Sequence, residues 1–392
     1  MVRKGSKEER PAASLPALSN DEIRRYSRQI VLPDVGLDGQ RRLKQASVLI
    51  IGTGGLGSPA ALYLAAAGVG RIGIVDHDTV DVSNLHRQIV HGTSAIGARK
   101  VVSARDRMHD VNPLVQVDAY DEPLTSGNAV RIASPYDVVI DASDNFPTRY
   151  LSNDLCVLLE KPNVYGAVLG FEGQVSVFDA RRGPCYRCVF PTPPPPGAVP
   201  SCTESGVLGV IPGVVGTLQA VETLKLILGL GEPLVGTLLI YDALDQSWNR
   251  VSVAKSPECP VCGKKPTITS LIDYDQFCGA PRVVLDDEWE ISPRELKARL
   301  DQGDKVRIID VREHGEWDMV HIAGSECIPL RTLEARIPDL DRDQDIVLVC
   351  RVGVRSARAL DLLRKAGFTR LKNLRGGILA WARDVDPTMP TY

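Results

Sequence analysis

Three constellations in this sequence hold residue types that do chemistry. The first is Cys350-Arg-Val-Gly-Val-Arg355, between the apolar run Ile346 to Val349 and a helical stretch from Ser356 to Ala366. Strand, cysteine, short loop and helix N-terminus together make an anion cradle with a nucleophile in it. Loop N–H groups, the helix N-terminus, Arg351 and Arg355 are all expected to favour the thiolate. Such a sulfur can attack, or can carry a persulfide as a stabilised anion. A cysteine loop built for a tetrahedral phosphate spaces its Cys and Arg by five residues. Here four intervene, Arg351, Val352, Gly353 and Val354, and the smaller loop suits sulfane sulfur.

The second is Ser47-Val-Leu-Ile-Ile-Gly-Thr-Gly-Gly-Leu-Gly-Ser58. The apolar run Val48 to Ile51 reads as a buried parallel strand. Gly52, Gly54 and Gly57 make a G-x-G-x-x-G turn, and Pro59 to Ala67 continues at helical spacing. Glycines let the backbone turn sharply and approach a phosphate, and the helix N-terminus favours negative charge. A second strand, Arg71 to Asp76, ends in an acid at the usual distance for gripping a ribose. The motif by itself does not choose between a nicotinamide dinucleotide and ATP.

The third is a pair of C-x-x-C motifs, Cys185/Cys188 and Cys259/Cys262, about 70 residues apart. Two independent dithiols or plain buried cysteines would share this pattern. Two pairs in a chain without secretion signals suit one tetrahedral four-thiolate zinc. With all four positions filled by protein, such a metal clamps the fold and does not catalyse.

The elements that must position these groups are repeated strand–helix units. Helices are expected over Leu18 to Ile30, where Ser19 caps, and over Gly97 to Met108. Strands are expected at Val115 to Ala119 and Asp137 to Ala142. The polar stretch Asp78 to Gln88 then falls just past a strand's C-terminal end, where open α/β sheets bind ligands. Glu172 to Asp179 and Gly236 to Asp242 suggest mixed or antiparallel additions, with a stiff crossover at Pro191 to Pro196 and a functional loop around Ser201 to Gly206 between them. A second α/β pattern starts at Ile291, where Ser292 and Pro293 signal a helix start, and has a strand at Val306 to Asp310. The fold class is α/β: a Rossmann-like doubly wound domain followed by a smaller α/β domain. Residues 1–17 read as a disordered tail, 18–265 as the first domain, 266–286 as linker and 287–392 as the second domain.

Bulk numbers set limits. At 392 residues two domains are expected, and 44% apolar content supplies two cores. A net charge of -3 gives no bulk case for nucleic acid. The polar, basic N-terminus has no apolar core of a signal peptide. The apolar helix Val214 to Leu230 contains Gln219, Glu222 and Lys225, so it reads as buried or interfacial, not as a membrane span. Nine cysteines, an odd count, argue for thiols, metal or catalysis, with the cytoplasm as default location. Arg24, Arg25 and Arg28 read most simply as a solvated basic face.

Together these motifs carry two resemblances. Residues 18–265 resemble the MoeB and ThiF adenylyltransferases, relatives of ubiquitin-activating enzymes. The shared residues are the glycine loop, Asp76, Asn84-Leu-His-Arg-Gln88, Lys100, Asp141-Ala-Ser-Asp-Asn145 and both C-x-x-C pairs. Residues 287–392 resemble a rhodanese domain through the Cys350 loop, Asp310-Val-Arg312 and His321-Ile-Ala-Gly-Ser325. The order of the two matches MoeZ and MoeBR proteins and their eukaryotic molybdenum-cofactor relatives.

The resemblance decides for ATP. It implies that Asp76 binds the ribose, that Gly54 and Gly55 lie near the α-phosphate, and that Asn84, Arg87 and Lys100 face the phosphates. Asp144 would hold Mg²⁺, and Arg28 would reach the neighbouring subunit's ATP in a homodimer. Cys202 aligns with the family's loop cysteine, while Cys156, Cys278 and Cys327 fit no motif and read as structural. The implied activity is adenylation of the C-terminal Gly-Gly of a ubiquitin-like sulfur carrier. Persulfide sulfur from Cys350 would follow, supplied by thiosulfate or a cysteine desulfurase, to give a thiocarboxylate for molybdenum cofactor, cysteine or thiamine biosynthesis. An activating enzyme for protein conjugation is the alternative. An oxidoreductase would need a nicotinamide-facing catalytic domain, and a scaffold would not need Cys350 with two arginines.

Overall fold

In a computed structural model, residues 15–194, 206–279 and 285–391 are described. They form two compact units that divide after Cys278. Most of the expected tail, part of the proline crossover and Cys202 lie outside the described residues.

The first unit opens with α1 (Asn20–Ile30) and α2 (Gly36–Gln45). Ser19 caps α1 in a reciprocal box with Glu22. Then come β1 (Ser47–Ile51), α3 (Gly57–Ala67), β2 (Arg71–Val75), α4 (Lys100–Val111), β3 (Gln116–Tyr120), α5 (Ala129–Ala133), β4 (Val138–Asp141) and α6 (Phe146–Leu158). β5 (Asn163–Leu169) and β6 (Glu172–Phe178) form a hairpin, followed by α7 (Tyr186–Val189), α8 (Val210–Leu228), β7 (Thr237–Asp242), β8 (Ser247–Ser252) and α9 (Tyr274–Phe277). The sheet order is β3-β2-β1-β4-β5-β6-β7-β8. β1 to β5 pair in parallel, and β6 to β8 add antiparallel.

β1 shows why its apolar run is continuous. Val48 and Ile50 enter the core on one face, Leu49 and Ile51 the core on the other. Both faces are covered, so alternation with polar residues is absent. α8 is long and apolar enough to cross a membrane by composition, yet here it is a core helix of the first unit, packed on α3, β5 and β6. Its Gln219 donates to the Asp141 and Val164 carbonyls at 2.7 and 3.0 Å, which fastens it over β4 and β5.

Two expectations change. α4 starts at Lys100, because Gly97 turns the chain in the left-handed conformation and Arg99 enters the helix as its extended cap. The segment read as linker is linker only in part. Tyr274 is buried, its hydroxyl donates to Asp154 at 2.8 Å, and Phe277 lies 4.4 Å from the Arg187 guanidinium. Aromatic burial and a buried acceptor hold residues up to Cys278 on the first unit.

The second unit contains β9 (Glu290–Ile291), α10 (Pro293–Asp301), β10 (Val306–Asp310), α11 (His314–Met319), β11 (Glu326–Cys327), α12 (Leu330–Arg336), β12 (Asp345–Val349), α13 (Val354–Lys365), β13 (Leu371–Leu374) and α14 (Gly377–Asp384). Its sheet is parallel throughout, in the order β11-β10-β12-β13-β9.

Candidate active sites and metal centre

In the first unit the sequence-predicted residues converge beyond the C-terminal ends of β1, β2 and β4. The glycine turn is sterically compulsory: a β-carbon on Gly57 would lie 1.9 Å from the Gly52 carbonyl oxygen. Asp76 fixes the turn by accepting from the Thr53 N–H at 2.9 Å and its hydroxyl at 3.0 Å. The other Asp76 oxygen accepts from the Asp78 N–H at 3.0 Å, and Asp78 accepts from Lys100 Nζ at 2.8 Å. Burial alone would raise the Asp78 pKa, but the Lys100 hydrogen bond and charge outweigh it and leave Asp78 below its usual value. Glycine loop, Asp76 and Lys100 are thus one connected network.

Asn84 ends a short 3-10 turn whose carbonyl accepts from the N–H groups of Arg87 and Gln88. That turn lays Arg87 over the glycine loop, with its Cγ 3.5 Å from where a β-carbon on Gly55 would be. Gln88 sits over Gly54 in the same way, at 3.7 Å. The two acids after β4 divide the work. Asp141 is buried and accepts from the Ser143 and Ser152 hydroxyls, each at 2.5 Å. Asp144 is exposed, and its nearest donor is Asn145 Nδ2 at 3.5 Å, so its carboxylate is open to a cation. Arg28 is not brought to this cluster. It lies exposed on α1, without a hydrogen bond or ion pair among the described residues.

The second site is built almost entirely from consecutive residues. Cys350, 1% exposed, follows β12 directly. Its Sγ accepts from the Gly353 N–H at 3.1 Å and from the Ser356 hydroxyl at 3.2 Å. Gly353 has φ +95°, the left-handed conformation that turns the loop back into α13. The N-terminus of α14 grips the loop from outside: Ile378 N–H donates to the Cys350 carbonyl at 2.9 Å and Leu379 N–H to that of Arg351 at 3.2 Å. Val352 and Val354 are exposed on the loop.

The two loop arginines differ. Arg351 is half-buried at the loop start. Arg355 forms a bidentate ion pair with buried Glu316, both bonds 2.7 Å. Its charge is therefore shared with a carboxylate, which the sequence reading did not foresee. Burial would raise the Glu316 pKa, and Arg355 more than reverses this. Neither Glu316 nor Ser356 was singled out from sequence. Ser356, the first residue past the loop, carried a positional signal; Glu316, 39 residues from Arg355, carried none. Asp310 and Arg312 form a fully buried ion pair at the end of β10, and His321 stacks on Trp317 with ring centroids 3.8 Å apart. Burial pushes the Cys327 thiol up to about 11.

The four C-x-x-C sulfurs meet. Sγ–Sγ separations are 3.9 Å for Cys185–Cys188, 3.5 Å for Cys185–Cys259 and 3.4 Å for Cys188–Cys262. A tetrahedral ion with bonds of about 2.3 Å spaces its sulfurs about 3.8 Å apart. The cluster has the donor set and spacing to hold a metal ion. Its position joins α7 to the segment after β8.

Comparison with known proteins matches each unit to a domain family. The ThiF family model matches residues 26–261, and the rhodanese-like domain model matches residues 292–384. A probable adenylyltransferase/sulfurtransferase MoeZ of Mycobacterium tuberculosis is 50% identical over 96% of this chain and 97% of its own length. The adenylyltransferase and sulfurtransferase MOCS3-1 of Zea mays is 47% identical, over 97% of this chain and 85% of its own. A sulfur carrier protein adenylyltransferase of Thermus thermophilus is 57% identical over 67% of this chain and 98% of its own. Among solved structures, E. coli MccB in complex with MccA-N7isoASN superposes with a TM-score of 0.57 at 21% identity, over 62% of this chain and 76% of that one, which speaks to fold alone. The chain belongs to the ThiF family, as a two-domain adenylyltransferase and sulfurtransferase with a rhodanese-like domain after its ThiF domain.

Proposed function

We propose that the protein adenylates the C-terminal Gly-Gly carboxylate of a ubiquitin-like sulfur carrier with MgATP and then converts it to a thiocarboxylate. One observation supports this above others: a single chain joins a glycine-loop site flanked by Arg87, Lys100 and Asp144 to a thiol, Cys350, held by donors that stabilise an anionic sulfur.

A carboxylate is a poor electrophile. Its oxygen attacks the α-phosphate, the bond to the β-phosphate breaks, and pyrophosphate leaves with the electron pair. Arg87 and Lys100 draw charge from the phosphates as it builds up. Asp144 is the residue open to Mg²⁺, which when bound screens the triphosphate. The Cys350 persulfide then attacks the acyl carbon. AMP leaves, and enzyme and carrier are joined through an acyl disulfide. Two electrons from thiols cleave its S–S bond, releasing the thiocarboxylate and the Cys350 thiol. Thiol–disulfide exchange from Cys202 would supply the first of those thiols and leave a Cys202–Cys350 disulfide. Thiosulfate or a cysteine desulfurase would recharge Cys350. Arg28, exposed on α1, would complete the partner's site in a homodimer. Zinc is the ion that four thiolates at this spacing suit, and its contribution is to folding. We place the reaction in the cytoplasm, in molybdenum cofactor, cysteine or thiamine biosynthesis.

The test is to incubate enzyme, MgATP and thiosulfate with each Gly-Gly-ending carrier and to seek the thiocarboxylate by mass spectrometry. Adenylation without thiocarboxylate, followed by transfer of the carrier to another protein, would instead favour an activating enzyme for conjugation. Cys202→Ala should spare thiosulfate sulfurtransfer and accumulate a carrier adduct on Cys350 when reductant is limiting. Wild-type behaviour there would remove Cys202 from the scheme.

A further inference from the structure

One cation beside the first site has no part in the scheme above. Arg149 lies on α6, four residues after the cap Asn145. Its Nη1 donates to the Tyr165 hydroxyl and its Nη2 to the Ser143 carbonyl, each at 3.4 Å. Both acceptors are neutral and both bonds are long. Its Nε is buried without any partner. The rings of Phe146 and Tyr165 stand 5.8 and 5.5 Å from the guanidinium carbon. No ion pair of Arg149 is present among the described residues.

The same unit satisfies another enclosed arginine fully. Arg187 also lies between aromatic rings, those of Tyr150 and Phe277, but it is bidentate to Asp154 at 2.8 Å on both arms. A guanidinium offers five N–H donors; the Asp141 and Asp144 carboxylates act on Arg149 only from beyond ion-pair distance, so the donors have no charged partner in contact, which is costly for an enclosed group. The cost at Arg149 is recovered if a ligand brings the missing acceptor. Its side chain is only partly covered, so a ligand can reach it.

Sheet order indicates which ligand. The glycine turn follows β1, Asp76 follows β2, and Asp144 follows β4, next to β1 in the sheet. Arg149 reaches the other way, through Ser143 after β4 to Tyr165 on β5, whose hydroxyl donates to Gln174 on β6 at 3.3 Å. Nucleotide groups thus lie on the β1–β2 side of Asp144, and the unfinished guanidinium on the β5–β6 side. The molecule on that side is the one whose carboxylate meets the α-phosphate.

We propose that Arg149, backed by Tyr165, binds the acyl substrate, pairing with the carboxylate or last carbonyl oxygen of its C-terminal Gly-Gly and aiming it past Asp144. This rests on the carrier reading above and adds the residue that recognises the carrier's end. A planar fork suits two oxygens of one carboxyl group, and an ammonium at the same place reproduces the charge but not the fork.

The experiment uses the full-length protein, a Gly-Gly-ending carrier that wild type adenylates, and ATP–pyrophosphate exchange with each substrate varied in turn. Arg149→Lys should raise the carrier KM about tenfold or more, the scale of lost hydrogen bonds to a charged group. Its ATP KM should stay within about twofold, and thiosulfate sulfurtransfer at Cys350 should be unchanged. A raised ATP KM with an unchanged carrier KM would assign Arg149 to the nucleotide and overturn the proposal. Unchanged KM values for both would make it structural and overturn it as well. If Arg149→Lys does not fold, Tyr165→Phe decides, since it keeps the ring and removes the hydroxyl. It should raise the carrier KM alone, and no change there sinks the idea. Absence of exchange by wild type with every such carrier would sink the carrier reading itself, a different failure from a silent Arg149.

Discussion

Both units put their chemistry beyond the C-terminal ends of parallel strands, but they assemble it differently. The Cys350 site is nearly one continuous stretch, residues 350–356, held from outside by the start of α14. The glycine-loop site draws on five separated places: residues 52–57, Asp76 with Asp78, the turn at 84–88, Lys100 and Asp144. Yet both hold a cation against a carboxylate, Lys100 on Asp78 and Arg355 on Glu316. A consecutive site can be carried whole by one strand–loop–helix. A dispersed site depends on the strand order that brings its parts to one edge.

The largest expected effects test whether the two sites are independent. Cys350→Ala should abolish thiosulfate sulfurtransfer and thiocarboxylate formation while carrier-dependent ATP–pyrophosphate exchange continues. Arg87→Ala should lower that exchange by roughly 10²–10³, the scale of losing one charge-stabilising donor, and leave sulfurtransfer alone. Asp144→Ala should do likewise. Loss of both activities in any one folded variant would break the division.

Next is the metal centre, which belongs to the dispersed site's unit. Cys259→Ser should release zinc and lower the melting temperature of the first unit, because binding energy of a structural ion is folding energy. The second unit should melt as before. Full zinc content in that variant would remove the four-cysteine assignment.

A smaller effect concerns where the first unit ends. Asp154 accepts from Arg187 and from Tyr274, so residues up to Cys278 complete a buried polar cluster. A chain ending at 279 should adenylate and melt like the first unit of the whole protein. A chain ending at 265 should be less stable by several kcal/mol, since it exposes the Arg187–Asp154 pair and strips its aromatic cover. Equal melting of the two chains would restore residues 266–278 to the linker.

The same contrast governs what the sequence disclosed. The cradle around Cys350 was legible because its donors are sequence neighbours, and β1 was legible because burial on both faces leaves an unbroken apolar run. Asp76 and Lys100 were found by motif, but their link through Asp78 was not, since it depends on where α4 starts. Tyr274 looked like linker because a four-residue helix has no periodicity to detect. β5 was missed for a related reason: Gly166 interrupts its short apolar run, and only pairing with β4 and β6 defines it. Glu316 was invisible because its partner lies on another helix.

That ion pair supplies the smallest and most specific test. The Glu316 carboxylate is buried, and the hydrogen bonds and charge of Arg355 hold its pKa below the ordinary glutamate value of 4.5. A carboxyl group with a lowered folded-state pKa stabilises the fold above its unfolded value and loses that contribution as pH falls through the folded one. The second unit should therefore weaken on acidification below about pH 4.5. Glu316→Gln should cost about 1–3 kcal/mol at neutral pH, as for a buried charged hydrogen bond removed on one side. In acid the variant and wild type should converge, because both then present a neutral side chain to Arg355. Urea unfolding followed by tryptophan fluorescence suits the measurement, since Trp289, Trp317 and Trp381 lie in this unit against Trp248 alone in the other. An offset that stays parallel as pH falls well below 4.5, to where the wild-type carboxyl is itself protonated, would mean that the pair contributes by packing rather than by charge. The same variant removes one negative charge from beside Arg355 and the Cys350 loop, so KM for the thiosulfate dianion should fall a few-fold, on the order expected for one partly screened charge. An unchanged KM would show that Arg355 is an anchor for the loop and that the anion is felt by the Gly353 N–H, Ser356 and the helix end.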